Sequence, residues 1–183
     1  MLYIIGASGA GKDSLLRFVA THVDADRVSI ARRYITRPED AGGEHHIAVD
    51  QSAYARLLAE GRFAMHWSGN GHHYGIDSEI DLWLEKRRVV LVNGSRKYLD
   101  EASRRYPGLW PVLIRVSEDV LRRRLLNRGR EPAIDIEQRI ARARELATIN
   151  HPRLRMIDNN GPLEQAGNAL LALISRTKPR YDP

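Results

Sequence analysis

The stretch Gly6-Ala7-Ser8-Gly9-Ala10-Gly11-Lys12 has the spacing G-x-x-x-x-G-K, and what flanks it constrains the fold. Directly before it, Leu2-Tyr3-Ile4-Ile5 is a short apolar run that reads as a buried strand. Directly after it, Lys12 to about His22 reads as a helix with Leu15, Leu16, Phe18 and Val19 on its apolar face. Glycines in a tight loop let backbone N–H groups point inward and cradle phosphate oxygens. The helix that follows presents its positive N-terminal end to the same anion. Lys12 then reaches the β- and γ-phosphates. An ordinary glycine-rich turn is the bland alternative; the strand before and the helix after favour phosphate binding. The candidate nucleotide-binding residues are therefore Gly6, Ala7, Ser8, Gly9, Ala10, Gly11, Lys12, Asp13 and Ser14, with Lys12 also catalytic.

One position departs from the pattern. A Ser or Thr hydroxyl after the lysine ordinarily binds Mg²⁺; here the residue is Asp13, and Ser14 follows. A helix turns about 100° per residue, so Ser14 cannot take over the place of residue 13. Asp13 offers a hard oxygen of the kind magnesium favours, which makes it the candidate metal residue, directly or through water. A carboxylate favoured by the helix dipole is the structural alternative.

Further along, Val28-Ser29-Ile30-Ala31 reads as a strand, Arg32 to Gly43 as loop, and Ser52 to Gly61 as a helix capped by Ser52. Arg62 to Tyr74 has a strand-turn pattern, and Asp77 to Lys86 reads as a helix. Arg88 to Gly94 is a continuous β-branched run, expected to be buried on both faces in a parallel sheet. Lys97 to Tyr106 reads as helix, Pro111 to Val116 as strand, and Ser117 to Asn127 as a helix capped by Ser117. A second basic helix is expected over Ile134 to Thr148, a strand over Arg155 to Asp158, and a last helix over Leu163 to Arg176. Strands alternating with helices argue for a three-layer α/β domain with a parallel sheet. The absence of cysteine excludes disulfides, thiol catalysis and Cys-bound zinc. No apolar run approaches a membrane span, and the N-terminus lacks the features of a signal peptide, so a cytoplasmic protein is expected.

Lys and Arg number 29 against 23 Asp and Glu, for a net charge of +6. Only Lys12, Lys86, Lys97 and Lys178 are lysines, so arginine carries the charge. Its planar fork suits bidentate phosphate contact. One cluster comprises Arg122, Arg123, Arg124, Arg128 and Arg130, continued by Arg139, Arg142 and Arg144. It could fold over a nucleotide and meet the charge that spreads in phosphoryl transfer; a solvated helical face or an RNA-binding patch are the alternatives. Aromatics are not interleaved there, which argues against RNA. A second cluster, Arg32-Arg33-Tyr34-Ile35-Thr36-Arg37-Pro38, could bind an acceptor phosphate or be a charged surface loop. The doublets His45-His46 and His72-His73 are poor paired metal ligands, because neighbours on a strand point apart; polar lining of an acceptor pocket is the reading preferred.

The glycine-rich loop, Thr36-Arg37-Pro38, His73-Tyr74-Gly75, Arg128-Gly129 and Arg139 together resemble the guanylate kinase family in matching order over nearly the whole chain. The resemblance implies a P-loop NTPase fold with a CORE at 1–33, 81–123 and 141–183, an inserted acceptor-binding region at 34–80 and a LID at 124–140. It implies that Arg37 and Tyr74 hold the acceptor phosphate, that Arg128 and Arg139 act catalytically on the transferring group, and that Asp158-Asn159-Asn160 lies near adenine.

Four departures narrow the resemblance. A glutamate that accepts hydrogen bonds from guanine in guanylate kinases aligns with Met65, and a Ser or Thr base contact aligns with Ile76. A phosphate-binding tyrosine aligns with His46, and an aspartate after a strand gives way to Val92-Asn93-Gly94-Ser95-Arg96. Losing polar groups that a guanine needs argues for an acceptor without that base. Gly9 to Ser14, Val92 to Arg96 and Trp67 to Gly75 resemble the ribose 1,5-bisphosphate phosphokinase family. This implies ATP-dependent, Mg²⁺-assisted phosphorylation of a phosphorylated sugar to 5-phosphoribosyl 1-diphosphate, in phosphonate breakdown. Arg33, Arg37, His46, Tyr74 and Arg96 are the candidate substrate-binding residues. No nucleic acid or membrane partner is expected. The alternatives are a guanylate-type nucleoside monophosphate kinase and a non-catalytic guanylate-kinase-like binding module.

Overall fold

The computed structural model describes residues 1–38, 46–129, 133–145 and 148–177. Its centre is a five-stranded parallel sheet in the order β2-β7-β1-β8-β9. The strands are β1 (Leu2–Gly6), β2 (Val28–Ala31), β7 (Val89–Asn93), β8 (Trp110–Arg115) and β9 (Arg155–Asp158). Side chains alternate between the faces of a strand, and the core divides accordingly. Leu2, Ile4, Leu91, Val112 and Ile114 enter one buried cluster with α1 (Lys12–Ala20) and α7 (Leu163–Arg176). Tyr3, Ile5, Val90, Val92 and Leu113 enter the other, with residues of α3 (Glu79–Glu85) and α4 (Leu99–Arg105). Burial on both faces is why these strands are continuously apolar, and it is what makes three layers.

A second sheet, in the order β4-β3-β6-β5, stands beside the first. Its strands are β3 (Arg33–Ile35), β4 (Ile47–Ala48), β5 (Phe63–Gly69) and β6 (His72–Asp77). The β5–β6 hairpin turns at Asn70 (φ 50°) and Gly71 (φ 78°), a left-handed pair suited to a two-residue turn. Two readings are corrected here. Arg32 to Gly43 is not simply loop, because Arg33–Ile35 pairs antiparallel with β6; residues 39–43 lie outside the described residues. Helix α2 (Gln51–Ala59) is capped by Asp50, whose carboxylate accepts from the Ala53 amide at 2.6 Å, rather than by Ser52. The expected cap at Ser117 does form: its hydroxyl accepts from Val120 N at the start of α5 (Glu118–Arg128).

Helix α6 (Ala133–Glu145) pairs with α5. Arg122 grips Glu137 through two hydrogen bonds of 2.8 and 3.0 Å, and Arg144 grips Glu118 likewise. Leu121, Leu125, Ile136 and Ile140 fix the pair against the core beside Ala7 and Ala10. Among the described residues no helix is long and apolar enough to cross a membrane.

Candidate active site

The glycine-rich loop leaves the sheet at the C-terminal end of β1, the end where ligands bind in open α/β sheets. Gly11 caps α1 in the left-handed conformation (φ +91°), and a Cβ there would lie 2.5 Å from Asn159 Nδ2. Glycine is required on both counts. Asn159 follows β9 and is 98% buried; its amide donates to Ala10 O at 2.7 Å. Lys12 Nζ arches over the loop to Gly6 O and Ala7 O, each at 3.0 Å. Ser14, Gly9 and Gly11 line a cleft of about 340 Å³ with Arg124, Asn127, Asn159 and Leu163.

Two arginines of the helical pair reach this loop. Arg139 donates to Ser8 Oγ at 2.9 Å. Arg124, singled out by sequence only as one of a cluster, donates to Asn159 O at 2.8 Å and to Ala10 O at 3.5 Å. Burial lowers the Arg124 pKa. Both of these partners are carbonyls, so neither neutralises its charge. Arg122 and Arg144, by contrast, are engaged by carboxylates on the neighbouring helix. Arg128 closes α5, and its side chain lies outside the described residues, as does Arg130.

Asp13 on α1 meets the end of β7: Asn93 Nδ2 donates to Asp13 Oδ1 at 2.6 Å. The strand end is held by Tyr3, whose hydroxyl accepts from Ser95 N at 3.0 Å and donates to Ser95 O at 3.2 Å. Gly94 lies against the same ring; a Cβ there would fall 2.1 Å from Tyr3 Cζ. Arg96, next in line, is half-buried and donates to Ala143 O on α6 at 3.4 Å; burial lowers its pKa.

The acceptor-region candidates gather on the second sheet. The Arg33 guanidinium sits 5.2 Å from the centroid of the Tyr74 ring, and Tyr74 stacks on Trp67 at 5.5 Å. Trp67 in turn meets Tyr98, two residues beyond Arg96, with ring centroids 5.5 Å apart. Arg33, Tyr74 and the segment carrying Arg96 are thus joined by one run of ring contacts. His46 is 2% exposed and its Nε2 bonds to Arg37 O at 3.0 Å, so it acts on Arg37 through the backbone. His72 and His73 are not a pair: one bonds to Thr36 O, the other to Ser68 Oγ. Met65 and Ile76 face each other across β5 and β6, both fully buried. The wall where guanylate kinases are expected to offer polar contacts to a base is apolar here.

No family model matches the chain. It is 48% identical over 178 residues to the ribose 1,5-bisphosphate phosphokinase PhnN of Desulfomicrobium baculatum, across 97% of this chain and 95% of that protein. It is 47% identical to the PhnN of Thiobacillus denitrificans, across 96% and 92%. A solved guanylate kinase from Anaplasma phagocytophilum superposes with a TM-score of 0.70 at 16% identity, covering 99% of this chain and 87% of that one, which shows the shared P-loop kinase fold. Relatives this similar run the length of the chain, through the loop, the Asn93–Arg96 strand end and the Trp67–Gly75 segment; the chain belongs to the ribose 1,5-bisphosphate phosphokinase PhnN family.

Proposed function

We propose that this chain transfers the γ-phosphoryl group of ATP to the 1-phosphate of ribose 1,5-bisphosphate, yielding 5-phosphoribosyl 1-diphosphate and ADP, as a step of phosphonate breakdown. The near-half identity to PhnN proteins over almost the entire chain carries this reading. The apolar Met65–Ile76 wall supports it, because a guanine would leave its own donors unpaired there.

An oxygen of the acceptor's 1-phosphate attacks the γ-phosphorus as the bond to the ADP oxygen breaks. The nucleophile is already anionic, so no side chain need remove a proton. Catalysis then rests on alignment and charge. The loop amides and Lys12 hold the donor's phosphates, and Lys12 exchanges its two carbonyl contacts for them. Arg139 and Arg128 act on the transferring group. Arg33, Arg37 and Tyr74 hold one acceptor phosphate, His46 orders Arg37, and Arg96 holds the other. Asp13 supplies the hard oxygen for Mg²⁺, and the bond from Asn93 fits that role by fixing the carboxylate. When bound, the metal neutralises charge on the donor's β- and γ-oxygens. The regions 34–80 and 124–140 act as acceptor-binding insert and lid on the remaining CORE.

A coupled assay of ADP release with ribose 1,5-bisphosphate, GMP and water side by side tests the proposal. Turnover with the sugar bisphosphate alone is expected. Turnover with GMP instead would make the chain a guanylate-type kinase, and no ATP binding would make it a binding module.

A further inference from the structure

Asn93 is 98% buried at the end of β7, yet half of its amide is unmatched: Oδ1 is buried with no hydrogen-bond partner among the described residues. A carboxylate can only accept, so the amide nitrogen must face Asp13, 2.6 Å away. That choice sends Oδ1 elsewhere, as an acceptor with nothing to accept. A buried acceptor left this way is costly, so it calls for an explanation. Ile4 pairs with Asn93 in the sheet, two residues before Gly6, the end of β1 and the start of the glycine-rich loop.

P-loop enzymes commonly hold magnesium between a neutral hydroxyl on the helix after the lysine and a carboxylate on a neighbouring strand. Here the two chemistries are exchanged. The carboxylate is on the helix, at Asp13, and the neutral group is on the neighbouring strand, at Asn93. The total charge of the pair stays at one negative unit, and the pair is held together across 80 residues of sequence.

We propose that Asn93 is a positioning residue of the metal site: its Nδ2 fixes the Asp13 carboxylate, and its Oδ1 accepts a hydrogen from a water on the cation. This rests on the reading that Asp13 serves the metal. It extends that reading by naming the group that orients the carboxylate and by assigning the strand end a polar role. A second carboxylate at residue 93 would be repelled by Asp13 at this distance, whereas a hydroxyl at residue 13 would accommodate it.

The test is Mn²⁺ binding to the full-length protein with ATP, followed by electron paramagnetic resonance, beside calorimetry of ATP without metal. Asn93→Ala is expected to weaken Mn²⁺ binding about tenfold or more while metal-free ATP binds as before, as loss of an outer-shell partner does. Asn93→Asp is expected to be weak too. Asp13→Ser with Asn93→Asp rebuilds the commoner arrangement and is expected to regain most of that loss. Asn93→Ser stands in if the alanine variant does not fold. Wild-type Mn²⁺ affinity in Asn93→Ala, or a double variant no better than Asn93→Asp alone, overturns the proposal. So does wild-type affinity in Asp13→Ala, which removes its foundation. Metal binding is read without the sugar acceptor, so failure to turn over ribose 1,5-bisphosphate is a separate result that leaves this measurement standing.

Discussion

Arg139 donates to the hydroxyl of Ser8 at 2.9 Å, although 131 positions separate them. The contact pins α6 over the glycine-rich loop, and on the proposed reading the Arg139 guanidinium acts on the transferring phosphoryl group. Arg139→Ala is therefore expected to lower kcat by ~100-fold or more, the usual effect of deleting a charge-stabilising donor. The KM for ATP is expected to change far less, because the loop amides are intact. Arg139→Lys keeps the charge and loses the fork, so it should recover only part of the rate. Steady-state ADP release separates the two parameters. An unchanged kcat in the alanine variant removes Arg139 from the catalytic set.

The helical pair that carries Arg139 is joined by exposed ion pairs whose pH response has a definite sign. Hydrogen bonding to Arg144 holds the Glu118 carboxyl below its usual range, and Arg122 does the same for Glu137. A carboxylate whose folded pKa is depressed contributes its full stabilisation above the unfolded value, near pH 4.3. That contribution disappears as pH falls through the lower folded value. Acid should thus loosen α5 from α6 below about pH 4, and salt should weaken the pairing at neutral pH. Hydrogen exchange of α6 amides measures this. In the double variant Glu118→Gln, Glu137→Gln the protection lost on going from pH 6 to pH 3 should shrink, since the titrating groups are gone.

How much of this was legible in the sequence depends on whether a signal was local. The loop, its strand and its helix are contiguous, and strand β7 announces itself by Val89 to Val92. The bounds of α7 fall at Leu163 and Arg176, as the apolar periodicity implies. Strand β3 was hidden because Arg33–Ile35 lies in a charged stretch and is a strand only through pairing with β6. Asp50 and Ser52 are equally good caps in a sequence; backbone geometry chose Asp50. Among the arginines, spacing could not tell Arg122 and Arg144, which face glutamates, from Arg124 and Arg139, which face the loop. Asn93 stood out only as a replaced aspartate. Its bond to Asp13 is a tertiary fact, since the two residues meet only after β1 and β7 pair.

Gly94 offers a test of how the strand end is held. An added Cβ would overlap the Tyr3 ring at 2.1–2.4 Å, and Tyr3 is fully buried with no room to retreat. Gly94→Ala is expected to destabilise by about 1–3 kcal/mol, as overpacking does. Tyr3→Phe leaves the ring and removes both bonds to Ser95, and is expected to cost about 1 kcal/mol or somewhat more. Thermal melts give both numbers. Because Asn93 and Arg96 flank this point, both variants should also weaken metal-ATP binding or raise the acceptor KM. A Gly94→Ala protein as stable as the parent would show that the Tyr3 ring can move aside.

Met65 sits where a guanylate kinase is expected to place a glutamate, so Met65→Glu is the obvious attempt to create a guanine site. Met65 is fully buried among Tyr3, Ile76, Ile80 and Leu99, with Ile76 directly across the strand pair. A carboxylate introduced there has no described cation to pair with in that cluster. It must either stay protonated, with a raised pKa, or be buried unpaired at about 3–5 kcal/mol. The variant should therefore melt at a lower temperature and gain stability as pH falls and the new carboxyl protonates. It should show no turnover of GMP. Measurable GMP phosphorylation by Met65→Glu would mean that this single side chain, rather than the apolar wall it belongs to, decides which acceptor enters.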